Sequence, residues 1–96
     1  MVIGVCHITL HLPDCHTLKE KRQVIKSVMA RVRNQFEVAI AEVDDNDLWQ
    51  SAGLGVSCVS NNGQHASTVL EHVRRYIEET RPDVIIANSE IEMITW

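Results

Sequence analysis

The chain has 96 residues, enough for one domain and one modest core, because a protein of this size keeps roughly 35–40% of its unfolded surface exposed. Hydrophobic residues make up 45% of the chain and aromatic residues only 4%, so the core must consist mainly of valine, isoleucine and leucine. The net charge of −4 argues against a generally basic nucleic-acid binder.

The first predicted element is a strand over residues 2–12, where apolar residues alternate. Its predicted inward face consists of Val2, Gly4, Cys6, Ile8, Leu10 and Leu12. A Pro-Asp pair at 13 and 14 ends the strand, because proline cannot continue a hydrogen-bonded ladder.

A helix is predicted from Thr17 to about Asn34. Thr17 and Glu20 have the spacing of a capping box, in which each side chain accepts a backbone N–H of the other end of the motif. The apolar stripe of this helix consists of Leu18, Ile25, Val28, Met29 and Val32.

Alternating apolar residues in the middle of the chain predict two strands, over residues 36–43 and 51–60. The acidic segment 44–47 and Leu48-Trp49-Gln50 join them. The second of these strands is expected to turn Ala52, Leu54, Val56 and Cys58 inward. The turn at Asn61-Asn62-Gly63 then leads into the next helix.

The second helix is predicted over about residues 64–80, with an apolar stripe of Ala66, Val69, Leu70, Val73 and Ile77. Arg81-Pro82-Asp83 ends it, since the residue before proline is pushed out of the helical region. A last strand follows over residues 84–94. The order β-α-β-β-α-β predicts an α+β, ferredoxin-like domain over residues 1–96: a four-stranded antiparallel sheet with two helices on one face.

The basic residues are concentrated on the first helix. Residues 17–34 carry six basic residues and one acidic residue, a net charge of +5, which leaves −9 on the rest of the chain. Four of the basic side chains lie within about 60° of one another on a helical wheel: Lys19, Arg22, Lys26 and Arg33. We expect the aliphatic part of the Lys21 side chain to lie along the apolar arc, with its ammonium group in water. The basic stripe is a solvated face, a set of partners for acidic residues elsewhere in the chain, or a phosphate-binding surface.

The other clusters of polar residues do not have the pattern of a catalytic site or a metal site. His7, His11, Cys15 and His16 match no compact metal-ligand spacing, and the acidic segment lacks the glycine and distal glutamate of a calcium loop. An enzyme with Cys15 as the nucleophile, next to His16, stays an alternative, although no residues with the pattern of an oxyanion hole are found. We therefore expect no enzyme, no metal and no small-molecule cofactor.

The cellular setting is predicted to be the cytoplasm, with no membrane partner. No apolar run approaches the roughly 20 residues of a membrane span, the first residues lack the basic segment of a signal peptide, and the odd number of cysteines suits reduced thiols.

Leu48 and Trp49 form the most conspicuous apolar pair outside the predicted elements, and they either cover the edge of the sheet or bind a partner. The sheet face opposite the helices is expected to be flat and apolar enough for a homodimer. It offers no aromatic residues to stack RNA bases, so any RNA contact should involve the first helix.

Several segments resemble the YlxP-like family of small bacterial proteins: Thr17-Leu18-Lys19-Glu20-Lys21-Arg22, Ala41-Glu42-Val43-Asp44 and Asp47-Leu48-Trp49-Gln50. The resemblance implies a ferredoxin-like fold without known activity. It also implies a role near the ribosome, since genes of this family often neighbour those of transcription-antitermination, translation-initiation and ribosome-maturation factors.

Two functions follow as expectations. The first is a non-enzymatic protein that contacts ribosomal RNA or a ribosomal precursor through the basic stripe. The second is a homo-oligomeric interaction module that uses the open sheet face and Trp49.

Overall fold

The computed structural model describes residues 1–96 and has the predicted element order. The elements are β1 (Val2–His11), α1 (Leu18–Gln35), β2 (Ala39–Asp44), β3 (Ser51–Ser60), α2 (Gly63–Thr80) and β4 (Ile85–Thr95). The strands form one sheet in the order β2-β3-β1-β4, and every neighbouring pair is antiparallel. The predicted ferredoxin-like fold is confirmed.

The core lies between the sheet and the two helices. It contains eighteen buried hydrophobic residues, among them the predicted inward residues of β1 and β3 from Cys6 to Leu12 and from Ala52 to Cys58. The predicted stripe of α2 is buried at Ala66, Leu70, Val73 and Ile77, while Val69 packs at the margin of the core. Both helices therefore cover the same sheet face.

The ends of the helices follow local capping chemistry. Thr17 Oγ1 accepts the backbone N–H of Glu20 at 3.1 Å, as predicted. The Glu20 carboxylate accepts the N–H of His16 at 3.3 Å, so only the first half of the expected capping box is present. At α2, the Asn62 side chain accepts two backbone N–H groups, those of Gln64 and His65.

The predicted start of the second strand at residue 36 is wrong. Phe36 is the C-cap of α1, where its N–H bonds the carbonyl of Val32. Its ring meets that of Tyr76 edge-on, with the ring centres 5.5 Å apart. The apolar alternation at Phe36 and Val38 therefore arises from packing against the helical layer, and the hydrogen-bonded strand begins at Ala39.

The turn from α2 into β4 is fixed by an ion pair. Arg81 contacts the carboxylate of Asp83 at 2.7 Å and donates to Ser27 Oγ on α1 at 3.1 Å. Hydrogen bonds from the Arg81 guanidinium hold the pKa of the Asp83 carboxyl below its usual value. The two helices and the last strand are thereby joined at one corner.

Neither α1 nor α2 is long and apolar enough to cross a membrane.

Candidate nucleic-acid interface on the first helix and the neighbouring hairpin

The four residues of the basic stripe are all exposed. None of Lys19, Arg22, Lys26 or Arg33 forms an ion pair with a carboxylate of the chain. The only hydrogen bond of the stripe joins Arg33 Nη2 to the carbonyl of Ile40, at 2.8 Å. The stripe therefore has the exposure and the unpaired charge that phosphate contact would require.

Two hydrogen bonds show which side of α1 carries the stripe. Arg33 reaches the backbone of β2 at Ile40. Arg31 lies on the other flank, where its guanidinium is 3.5 Å from the carbonyl of Thr80 at the end of α2. The stripe thus runs along the edge of the sheet formed by β2, on the side of α1 away from α2.

The prediction for Lys21 is wrong. Its side chain is fully buried between α1 and the sheet, where Nζ lies 2.9 Å from Glu42 Oε2 and donates to the carbonyl of Asp45. A bulge in β2 between Glu42 and Asp44 places both acceptors within reach. A helical wheel shows that Lys21 lies near the apolar arc, but it cannot show an acceptor that comes from a different element.

Lys21 is one of several polar contacts that hold the hairpin of residues 44–50, between β2 and β3. On the open sheet face, His7 Nε2 lies 2.6 Å from Asp44 Oδ2. At the far end of the hairpin, Gln50 Nε2 donates to the carbonyls of Pro13 and Cys15, each at 3.2 Å.

The turn within this hairpin is also specified locally. Asp45 has a φ of 62°, in the left-handed region that aspartate tolerates better than most residues. Its carbonyl accepts the N–H of Leu48 at 3.0 Å and its carboxylate accepts the hydroxyl of Ser51 at 2.8 Å. The acidic segment therefore has structural contacts at Asp44 and Asp45.

Leu48 and Trp49 lie at the tip of the hairpin and stay 52% and 53% exposed. Neither belongs to the hydrophobic core or to the residues packed against it. Trp49 does not fill a gap in the core, and its exposed surface is available to a partner.

The sequence over residues 3–91 matches a family described as a protein of unknown function, DUF503. The chain belongs to the DUF503 family. It is also 34% identical over 77 residues to the uncharacterized protein YlxP of Bacillus subtilis (strain 168), a match that covers 80% of this chain and 84% of the relative. The resemblance to YlxP-like proteins is therefore confirmed.

Two designed proteins have folds similar to that of this DUF503 protein. The de novo designed protein Foldit4 matches with a TM-score of 0.55 and 11% identity, over 100% of this chain and 99% of the other. A second designed protein, LFR1 1, described as having a ferredoxin fold, matches with a TM-score of 0.51 and 16% identity, over 98% of this chain and 84% of the other. These similarities concern the fold alone.

The cysteines of this DUF503 protein are three free, buried thiols. Burial and, to a smaller extent, the nearby Glu71 carboxylate raise the pKa of Cys6 to about 11. Burial also raises the pKa of Cys15, which is only 5% exposed. A nucleophilic cysteine needs the opposite shift, so the geometry gives Cys15 no activation.

The histidines considered as metal ligands have separate surroundings. His7 contacts Asp44, while His11 Nδ1 lies 3.1 Å from the carbonyl of Gln50. The His16 backbone bonds Glu20 at the start of α1. No three histidine, cysteine, aspartate or glutamate side chains converge as metal ligands.

The open sheet face combines apolar and acidic residues. Register places Val59, Ile3 and Ile94 in one row across β3, β1 and β4. Glu90 and Glu92 lie on β4 opposite His7 and Val5. The face is apolar at one end, as expected, and carries carboxylates along the β4 edge.

Proposed function

We propose that this protein is a non-enzymatic, cytoplasmic RNA-binding protein that contacts the phosphate backbone of ribosomal RNA, or of a ribosomal precursor, through Lys19, Arg22, Lys26 and Arg33. One observation carries the proposal. The chain has nine lysines and arginines, and three of them, Lys21, Arg74 and Arg81, pair with carboxylates. Of the six that do not, five lie on α1 and four of those form the stripe.

The energetics of the isolated helix support the proposal. Like charges three and four residues apart destabilise a helix by about 0.2–0.5 kcal/mol per pair, and Lys19, Arg22 and Lys26 have this spacing. The protein has thirteen acidic residues, yet none lies within ion-pair distance of the stripe. A polyanion would relieve the repulsion and release its own counterions.

The overall negative charge is compatible with this mode of binding. Repulsion from the carboxylates of the open sheet face weakens beyond a Debye length of about 8 Å at physiological ionic strength. An acidic protein with one basic flank can therefore bind RNA in a single orientation, with the acidic face turned away.

The test is co-sedimentation of the protein with ribosomal subunits, together with titration of ribosomal RNA fragments, at several salt concentrations. We expect the binding constant to fall steeply with salt, by up to about two powers of ten over a fourfold increase if all four side chains contact phosphates. The double variant Arg22→Glu/Lys26→Glu should lose binding.

Arg75→Glu is the matched control, because Arg75 is an exposed arginine without an ion pair on α2. It should bind nearly as the wild type does. Binding that is independent of salt, or that Arg75→Glu weakens as much as the double variant, would contradict the proposal.

A homodimer through the open sheet face is the second candidate. It is favoured by the exposure of Val59 (70%) and Ile94 (43%) on the same row of that face. Exposed apolar rows of this kind mark interaction surfaces more often than isolated apolar residues do.

A further inference from the structure

We infer that Trp49, at the tip of the β2–β3 hairpin, stacks an unpaired base, so that the RNA partner is single-stranded where it meets this end of the protein. The inference rests on the proposed function, because the phosphates flanking that base would contact the basic stripe. It specifies the chemical class of the partner, which is an RNA strand with an accessible base and not a continuous duplex.

The hairpin is held in place before any partner binds. Its first residues are fixed on the open sheet face by Asp44 with His7, and under α1 by the carbonyl of Asp45 with Lys21. Its last residue is fixed by the side chain of Gln50 against the loop between β1 and α1. A side chain presented on such a fixed element loses little conformational entropy on binding.

The hairpin that these contacts hold contributes no side chain to the hydrophobic core. Leu48 and Trp49 remain about half exposed, although the chain has only four aromatic residues with which to fill its interior. Trp49 is not among the side chains that pack against the core. An exposed indole on a hairpin with fixed ends matches the stacking platforms that bind single strands.

The hairpin and the stripe share one end and one side of the molecule. β2 and β1 run in the same direction, so the end of β2 lies beside the start of α1, and Lys21 joins the two directly. The stripe follows the β2 edge from Arg33 toward Arg22 and Lys19, at the end of the helix next to the hairpin. We therefore expect a strand whose phosphates lie along the stripe to pass the hairpin that carries Trp49.

The charge at the tip favours a base over a phosphate. Asp47 is exposed and without an ion pair two residues before Trp49. Its carboxylate repels a phosphate there but leaves the uncharged face of a base unaffected.

No other aromatic residue can take this role. Phe36 and Tyr76 pack against each other at the opposite end of α1. Trp96 follows β4 at the end of the sheet where β1 begins, away from the hairpin. Trp49 is the only aromatic side chain next to the N-terminal end of the stripe.

The experiment uses the full chain with Trp96→Phe, which leaves Trp49 as the only tryptophan. The probes are a single-stranded RNA of about 12 nucleotides and a duplex of the same sequence, both at low salt. We expect the single strand to quench Trp49 fluorescence and the duplex to leave it unchanged.

Affinity measurements on the otherwise unmodified chain complete the test. Trp49→Ala should lose about 5- to 150-fold in affinity for the single strand and keep its affinity for the duplex. Trp96→Ala is the matched control and should bind both RNAs as the wild type does. Because neither indole belongs to the core, circular dichroism should show a folded protein in each case.

The outcomes separate this inference from the proposed function. If Arg22→Glu/Lys26→Glu loses both RNAs while Trp49→Ala binds them as the wild type does, the phosphate contact stands and the stacking is wrong. If the wild type binds neither RNA at low salt, both are overturned. Equal quenching by the duplex would also overturn the stacking.

Discussion

Three neighbouring cations at the start of α1 have different surroundings. Lys19 and Arg22 point into solvent, whereas Lys21 is fully buried against Glu42 and the carbonyl of Asp45. A buried ammonium is stable only when its charge and its donors are matched, because removal from water costs several kcal/mol. Lys21 thus carries the contact between α1 and the hairpin, and its neighbours remain free for a partner.

Replacing Lys21 with methionine should destabilise the fold. The change leaves the largely buried carboxylate of Glu42 without its counter-ion, which typically costs about 3–5 kcal/mol. Chemical denaturation of the wild type and of Lys21→Met would measure the difference.

Two further variants control this measurement. Lys19→Met alters an exposed lysine of the same helix and should stay within about 0.5 kcal/mol of the wild type. Lys21→Met/Glu42→Leu should recover much of the loss, because no buried charge is then left unpaired. Equal effects at Lys19 and Lys21 would contradict the structural role.

At the scale of elements, the hairpin depends on positions in β3 that have no side chain. Gly53 and Gly55 of β3 lie on the open sheet face between β1 and β2. A Cβ atom at Gly53 would come within 2.6 Å of Asp44 Cβ and 3.3 Å of His7 Nε2. The missing side chain is what allows His7 and Asp44 to meet across β3.

Gly53→Ala should therefore break the contact between His7 and Asp44 and destabilise the protein by about 1–3 kcal/mol, the usual cost of overpacking. Gly63→Ala is the control. Nothing lies within 4 Å of a Cβ there, at the first residue of α2, so alanine should be neutral or stabilise by up to about 1 kcal/mol. Thermal unfolding of the two variants would distinguish them, and a neutral Gly53→Ala would show that the bulge of β2 can relax.

The elements differ in how well local sequence predicts them. β3 was predicted to the residue because both of its neighbours are strands and its alternate residues face one core. β2 was predicted to begin three residues early, because Phe36 and Val38 are apolar for reasons of helix packing. Periodicity reports which side chains are buried, but it cannot distinguish burial against a helix from burial within a ladder.

At the scale of the whole molecule, the two surfaces carry opposite charge. The α1 flank beside β2 is basic, and the open sheet face has Glu90 and Glu92 beside its apolar rows. A second copy on the open face would meet carboxylates at the β4 edge, so a dimer must rely on the apolar row with Val59 and Ile94.

The dimer is tested by light scattering over a range of protein concentrations. If the apolar row mediates it, the wild type should be dimeric at micromolar concentration and Val59→Glu should be monomeric, because the new carboxylate would be buried in the interface. Gln64→Glu adds the same charge at the exposed start of α2 and should leave the dimer intact. A wild type that is monomeric at every concentration removes this candidate.

The sequence by itself determined the element order, the inward faces of β1 and β3, the stripe of α2 and the grouping of Lys19, Arg22, Lys26 and Arg33 on one side of α1. Each of these depends on the fixed periodicity of a single element. Tertiary structure alone decided that Lys21 is buried, that His7 meets Asp44 across Gly53 of β3, and that the hairpin with Trp49 lies at the N-terminal end of α1, where the stripe begins. The Lys21–Glu42 and His7–Asp44 contacts join residues 21 and 37 positions apart in the chain, and no local pattern encodes which distant partner a side chain will meet.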